Sequence, residues 1–120
     1  MSSIRTTQEV FEDHLWQSNH GSVEEDFARN YADDVVLLTG EGIYRGLEGL
    51  RYLTNVLMQA LPGACFDYYT RLVAGEMAFL EWGTQTEKSQ VKDGADSYLI
   101  RNGRIIAQTI HYTVQPVSEN

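Results

Sequence analysis

The chain has 120 residues and a mass of 13.6 kDa, which suffices for one domain with its own hydrophobic core. Its 9 Lys and Arg against 17 Asp and Glu give a net charge of −8. This charge argues against nucleic acid or an anionic membrane surface as a partner, because both are bound through basic patches. Cys65 is the only cysteine, which excludes an internal disulfide and a zinc site built from cysteines.

The sequence has no recognisable membrane or targeting segment. Its longest aliphatic run covers only 35–38, whereas a membrane span needs about 20 apolar residues. Residues 1–10 lack the basic and then apolar pattern of a secretory signal. We therefore expect a soluble cytoplasmic protein in which residues 1–120 form a single domain.

Two capping boxes predict the first two helices. The boxes cover Thr6 to Glu9 and Ser22 to Glu25. In each of them a hydroxyl and a carboxylate accept hydrogen bonds from backbone amides that are otherwise unpaired at a helix start. Apolar residues at helical spacing follow both boxes. The pattern predicts helices over 7–19 and 22–31.

A strand and a third helix follow in the sequence. The β-branched and leucine-rich run 34–39 predicts a buried strand that ends at a glycine-containing turn. Leucines recur at helical spacing over 46–61, which predicts the third helix. Pro62 ends it, because proline cannot continue a helix and disfavours a helical residue before it.

The remainder of the chain is predicted to be four long strands. These segments are rich in aromatic and β-branched residues and cover 66–74, 77–87, 91–101 and 104–115. Asn102 and Gly103 suit a tight hairpin turn whose two central residues need positive φ. The order α-α-β-α-β-β-β-β predicts an α+β fold, with helices packed on one face of a curved antiparallel sheet.

This order of elements, together with three motifs, resembles the nuclear transport factor 2-like superfamily. Its members include the SnoaL-like polyketide cyclases, ketosteroid isomerase, scytalone dehydratase and limonene epoxide hydrolase. The resemblance covers residues 5–115 and implies a cone-shaped fold, with three N-terminal helices on a curved antiparallel sheet that encloses a pocket. It also implies a homodimer formed through the outer face of the sheet. The motifs are Tyr31-Ala32-Asp33-Asp34, Tyr44-Arg45-Gly46 and Arg101-Asn102-Gly103-Arg104-Ile105.

The isomerase pattern within this superfamily matches the chain in part. Its oxyanion-hole aspartic acid corresponds to Asp96, and its oxyanion-hole tyrosine falls near His14. Its second tyrosine corresponds to Tyr31, whereas its general-base aspartate falls at Thr39. A threonine does not accept a proton as a carboxylate does, so the resemblance does not imply steroid isomerase activity.

Two carboxylates are candidates for acid–base chemistry. Strand alternation places Asp96 on one face with Tyr98 and Ile100, where burial would raise its pKa; the alternative is a solvated residue on the outer face. Glu81 lies in an apolar stretch and would face Asp96 if the hairpin is centred within 88–89, so that the two pKa values split. Its alternative is an outward orientation.

Two histidines are further candidates. His14 lies on an otherwise apolar helix face, where it is either a catalytic group or a satisfied core residue. A regular turn at 102–103 would place His111 on the face of Asp96, whereas a β-bulge would turn Gln108, Ile110 and Tyr112 inward instead. A His–Asp pair would supply a proton carrier near neutral pH.

The remaining expectations concern the pocket and its ligand. The three histidines lack metal-ligand spacing and the glycines form no phosphate or dinucleotide motif, so we expect neither a metal nor a cofactor. The side chains expected to line the pocket, besides the catalytic candidates, are Trp16, Tyr31, Thr39, Tyr98 and Tyr112.

Two function classes remain open at this point. The first is a cofactor-independent acid–base enzyme (an isomerase, dehydratase, cyclase or hydrolase) acting on a small, largely apolar molecule through Asp96 with a histidine. The second is a non-catalytic ligand-binding or homodimerisation module of the same fold.

Overall fold

Two helices, a pair of strands and a third helix form the first half of the chain, and strands alone form the second. The structure is a computed structural model that describes residues 4–117. Its helices are α1 (Thr7–His20), α2 (Val23–Asn30) and α3 (Gly46–Ala60). Its strands are β1 (Tyr31–Thr39), β2 (Gly42–Arg45), β3 (Phe66–Ala74), β4 (Met77–Gln85), β5 (Ser89–Arg101), β6 (Arg104–His111) and β7 (Gln115–Pro116).

Side-chain caps define the starts of α1 and α2. The backbone N–H of Glu9 donates to the Thr6 hydroxyl at 3.1 Å, and the Glu9 carboxylate accepts from the Thr6 N–H at 2.8 Å. The Ser22 hydroxyl likewise accepts from the Glu25 N–H at 3.1 Å. Both predicted starts are confirmed, because the capping chemistry is local and does not depend on tertiary packing.

The third helix lies where the sequence predicted it, whereas the three N-terminal helices implied by the resemblance are not found. Two helices precede the sheet, and α3 follows the β1–β2 hairpin, so the helices are not all N-terminal. The strand β2 was not predicted, because its four residues carry a short glycine-initiated pattern that is typical of a loop. Thr39 and Gly42 close this hairpin, and Gly42 has a φ of 141° that favours glycine.

The strands of the described chain form one curved, open sheet in the order β2-β1-β6-β5-β4-β3, with β7 paired to the start of β5. The four long strands are antiparallel as predicted. β1 and β6 run parallel, with Leu37 beside Gln108. The sequence did not indicate this pairing, since some sixty residues of chain separate the two strands.

Two β-bulges determine which side chains of the long strands face the helices. Between β5 and β6, Ile100 pairs with Ile105 but Leu99 pairs with Ala107. Between β4 and β5 the register also shifts, and Leu80 becomes the partner of Asp96. A one-residue shift moves every later side chain to the other face, so these bulges decide the composition of the interior.

The hydrophobic core lies between the helices and the inner face of the sheet. Phe11 and Leu15 of α1 pack there with Leu37 of β1 and Ile100 of β5, and all four are almost fully buried. Within residues 4–117, no helix combines the length and the apolar character that crossing a membrane requires.

Candidate functional site

The helices and the inner face of the sheet surround a cavity of about 950 Å³, a size usual for small-molecule sites. Its walls are largely apolar and include Leu53 and Leu57 of α3 and Phe66 of β3. Five buried polar side chains, which we call the polar cluster, share this cavity. They are His14, Tyr31, Asp96, Tyr98 and Gln108.

Asp96 is the carboxylate of the polar cluster and is only 7% exposed. The Trp82 indole N–H donates to Asp96 Oδ1, and the Gln108 amide donates to Oδ2, each at 3.0 Å. Burial raises the pKa of Asp96 to about 6, although both donors act in the opposite direction. Asp96 therefore changes its ionisation close to neutral pH.

His14 and Asp26 form a buried pair beside this carboxyl group. His14 Nδ1 lies 3.0 and 2.9 Å from the two Asp26 carboxylate oxygens. A carboxylate only accepts hydrogen bonds, so Nδ1 carries a proton and Nε2 faces the cavity side. Burial lowers the pKa of His14, but the Asp26 carboxylate, together with Asp96 and Asp13, raises it overall.

The Tyr98 hydroxyl connects the two titratable groups. It lies 3.2 Å from His14 Nε2 and 3.5 Å from Asp96 Oδ2. When His14 is charged, Nε2–H donates to Tyr98, whose hydroxyl points to Asp96; when His14 is neutral, Nε2 accepts from Tyr98. Burial raises the pKa of Tyr98 well above its ordinary value of 10, so the phenol stays protonated at neutral pH.

A second layer of side chains holds the His14–Asp26 pair in place. The Asn30 amide, which is fully buried, donates to Asp26 Oδ1 at 2.8 Å and to Asp13 Oδ2 at 2.9 Å. Asn30 Oδ1 accepts from the Arg5 guanidinium at 2.9 Å. On the other side, the Tyr31 hydroxyl donates to Gln108 Oε1 at 2.6 Å, which orients the amide toward Asp96.

Sequence reasoning missed Asp26, Asn30 and Gln108 as site residues. Asp26 and Asn30 are four residues apart on α2 and flank Phe27, which faces the core. This spacing puts both polar side chains on one helix face, toward the interior. It was the signal in the sequence that could have identified them as site residues. Gln108 entered the sequence analysis only through the alternative with a β-bulge.

The structure brings together most of the expected pocket residues. His14, Tyr31, Asp96 and Tyr98 belong to the polar cluster, and Thr39 and Tyr112 also line the cavity.

Three candidates lie away from the polar cluster: the expected pocket position of Trp16 is wrong, and the orientations left open for Glu81 and His111 are outward. Glu81 is exposed on the outer face opposite Ala95, because the β4–β5 bulge makes Leu80 the partner of Asp96. The His111 side chain is 66% exposed at the cavity rim, 3.5 Å from Asp93, because the β5–β6 bulge turns its neighbours inward. Trp16 is 55% exposed on α1 and packs beside His20.

The charge of the cavity wall is acidic. Its charged side chains within residues 4–117 are Asp26, Glu41 and Asp96, together with the two histidines, and no Lys or Arg lines it there. In the same part of the chain, no three His, Cys, Asp or Glu side chains converge as metal ligands do. The geometry therefore offers two coupled proton-exchanging groups in a largely apolar chamber.

No protein-family model and no curated protein matches the sequence, whereas many solved structures match the fold. A protein of unknown function from Burkholderia xenovorans, described as nuclear transport factor 2-like, is 18% identical with a TM-score of 0.72 over 95% of this chain and 87% of that one. A SnoaL-like protein of unknown function from Burkholderia thailandensis is 13% identical with a TM-score of 0.71, over 89% of this chain and 94% of that one. TerC, co-crystallised with polyporic acid, is 13% identical with a TM-score of 0.71, over 89% and 91% of the two chains. The chain thus has the nuclear transport factor 2-like fold of the SnoaL-like proteins.

Proposed function

We propose that this protein is a cofactor-independent acid–base enzyme acting on a small, largely apolar organic molecule, as an isomerase, dehydratase, cyclase or hydrolase. One observation carries the proposal: Asp96, Tyr98, His14 and Asp26 form an unbroken chain of polar contacts at a single buried cavity. A buried carboxyl group with a pKa of about 6 and a histidine with a raised pKa, in a largely apolar pocket, are what proton abstraction and return require.

The roles of the groups follow from their ionisation. Above a pH of about 6, Asp96 is a carboxylate and acts as the base that removes a proton from the substrate. His14, held in its charged form by Asp26, then delivers its proton through the Tyr98 hydroxyl to the substrate anion, and the proton on Asp96 passes back through Tyr98 to the neutral His14. The cycle returns every proton, so an isomerisation needs no further reactant.

The charge of the cavity wall supports an uncharged substrate. Apart from His14, whose charge is balanced by Asp26, no cationic side chain faces the ionised Asp96 among the described residues that line the cavity. An anionic ligand would have to approach this carboxylate in a medium of low dielectric constant, which is costly.

Proton exchange into heavy water tests the proposal directly. We expect the protein to catalyse deuterium incorporation beside the carbonyl of uncharged ketones such as benzylacetone, followed by proton NMR, with a rate that rises with pH through about 6. Benzylpyruvate, which replaces the methyl group by a carboxylate, should exchange far more slowly. Trp16→Ala is a suitable control, because Trp16 lies outside the cavity.

A non-catalytic ligand-binding module is the second candidate. Thr39 stands where the isomerase pattern has its base, and both oxygens of Asp96 already accept hydrogen bonds from neutral donors. Ketones that shift the resonances of the polar cluster without any exchange at pH 7 to 8 would favour this reading over the enzyme.

We also propose that the protein is a cytoplasmic homodimer that pairs through the outer face of the sheet. Leu38, Leu72 and Phe79 lie on this face, and Leu72 is 60% exposed. Glu81 and His111 share the face across Ala95, which allows a carboxylate of one copy to meet an imidazole of the other. The single exposed Cys65 is free, as is usual in a reducing compartment.

Sedimentation equilibrium is expected to give a mass near twice 13.6 kDa at micromolar concentration. Leu72→Asp should shift the equilibrium toward monomer, because it buries a charge in an apolar contact. Tyr52→Asp, which changes an exposed side chain on α3, serves as the control and should leave the mass unaltered. A monomer for the unmodified chain would contradict the proposal.

A further inference from the structure

Gly94 of β5 lies directly across from Trp82 of β4 and leaves no room for a side chain. A Cβ atom at Gly94 would lie 2.3 Å from Cδ2 and Cε2 of the Trp82 ring and 2.7 Å from its Nε1. These atoms belong to a rigid bicyclic ring, so the indole would have to move as a whole. The space above Gly94 is therefore occupied by the indole.

The β-bulge in β5 is what brings these two residues together. Trp82 pairs with Gly94, but Thr84 pairs with Val91, so β5 contains one more residue than β4 in this interval. As a result Gly94 is on the inner face, two residues before Asp96 on the same strand. The indole lies across Gly94, and its N–H reaches Asp96 Oδ1 at 3.0 Å.

We propose that Gly94 is a positioning residue: the absence of its side chain allows the Trp82 indole to lie against β5 and to hold Asp96 through a hydrogen bond. The inference concerns Asp96, which the proposed function identifies as the catalytic base. It rests on the proposed function only for the claim that the position of Asp96 matters to catalysis. The packing and the hydrogen bond have consequences that are measurable without any substrate.

The main consequence concerns the ionisation of Asp96. Burial raises its pKa, and among the groups that oppose burial the Trp82 hydrogen bond is the first in size, followed by Gln108 and His14. Displacement of the indole removes this donor, so burial raises the pKa of Asp96 further. The titratable groups near Asp96 come from both helices and sheet and are His14, Asp26, Tyr31, Tyr68, Tyr98 and Tyr112.

NMR titration of Gly94→Ala tests the proposal. The sequence contains two tryptophans, and the Trp82 indole N–H reports on Asp96 because it donates to that carboxyl group. In the unmodified protein the Trp82 resonance should shift with a midpoint near 6. In Gly94→Ala the Asp96 carboxyl carbon should titrate higher by on the order of one pH unit, and the Trp82 indole should lose its response.

Two further variants keep the test decisive. Ala95→Ser adds one heavy atom to the next residue of β5 on the opposite face, and it should leave the Asp96 midpoint unaltered. Trp82→Leu removes the donor and relieves the overlap, so adding Gly94→Ala to it should not raise the midpoint again and should cost less in Tm than in the unmodified background.

The proposal is overturned if folded Gly94→Ala retains the original Asp96 midpoint and Trp82 response. It is overturned equally if Gly94→Ala lowers Tm by the same amount with and without Trp82. Neither result depends on deuterium exchange, so a failure here and a failure of the proposed enzyme activity are distinguishable.

Discussion

Asp96→Asn is expected to abolish the exchange of ketone protons while leaving the protein folded. The amide has the shape of the carboxylate but cannot accept a proton from carbon at neutral pH. The loss should reduce the rate to that of the buffer, because Asp96 is the group that contacts the substrate in the proposed reaction. Asp93→Asn is a matched control on the same strand, since Asp93 is exposed and outside the cavity.

The same variant should alter the pH dependence of stability. The pKa of Asp96 is about 6 in the folded protein and has an ordinary value of 3.8, so folding favours its protonated form. Its contribution to the free energy of unfolding is therefore complete below 3.8 and is lost as the pH rises through about 6. The loss amounts to about 3 kcal/mol, at roughly 1.4 kcal/mol per pH unit.

Urea denaturation at several pH values between 4 and 7 measures this contribution. The stability of the unmodified protein relative to Asp96→Asn should fall by about 3 kcal/mol over this interval. A constant offset will be superimposed, because the amide N–H of the variant opposes either the Trp82 or the Gln108 donor. The contribution of Asp93 to stability has the opposite pH dependence. Hydrogen bonds from Thr113 lower the pKa of Asp93, so its contribution is lost as the pH falls. If the free energies of unfolding of the unmodified protein and of Asp96→Asn change in parallel with pH, Asp96 is not a buried carboxyl group with a raised pKa.

The sequence allowed the fold to be predicted almost completely because its decisive signals are local. Each of these signals acts within a few residues: the capping boxes, the proline at 62 that ends the third helix, and the tight turn at Asn102 and Gly103. The parallel contact of β1 with β6 has no such local signal and was not predicted.

The orientation of individual strand residues was predictable only in part. Alternation correctly placed Asp96 on the inner face, because its neighbours Tyr98 and Ile100 are also buried there. The faces of Glu81 and His111 stayed open because a single bulge between each of them and the turn reverses the face, and a bulge has a weak sequence signature. The Asp26 partner of His14 was missed because an acidic residue in the first turn of a helix usually serves the helix dipole.

Asp26→Asn is expected to convert His14 from a group that is readily protonated into one that resists protonation. Burial alone lowers the pKa of His14, and the Asp26 carboxylate is the main group that reverses this effect. The asparagine oxygen is still able to accept from Nδ1, so the ring keeps a hydrogen bond but loses the countercharge. The His14 pKa should therefore fall below its ordinary value of 6.5.

The loss of the positive charge on His14 in Asp26→Asn should affect both catalysis and stability. Proton return through Tyr98 depends on charged His14, and exchange should slow by about 10²- to 10⁴-fold, the usual contribution of a positioned acid or base. In the unmodified protein the raised pKa of His14 adds stability that is present below 6.5 and lost as the pH rises through the folded value. In Asp26→Asn the sign reverses, so the variant should lose stability as the pH falls through 6.5.

NMR titration of the His14 ring carbons, with urea denaturation at the same pH values, checks both signs. Glu25→Gln, the neighbouring exposed position on α2, is the control and should leave the His14 midpoint where it is. His20, which is on α1 like His14, lies outside the buried pair and provides a reference resonance in every sample. If the His14 midpoint does not move in Asp26→Asn, Asp26 does not set its charge, and Asp96 must then act with Tyr98 alone.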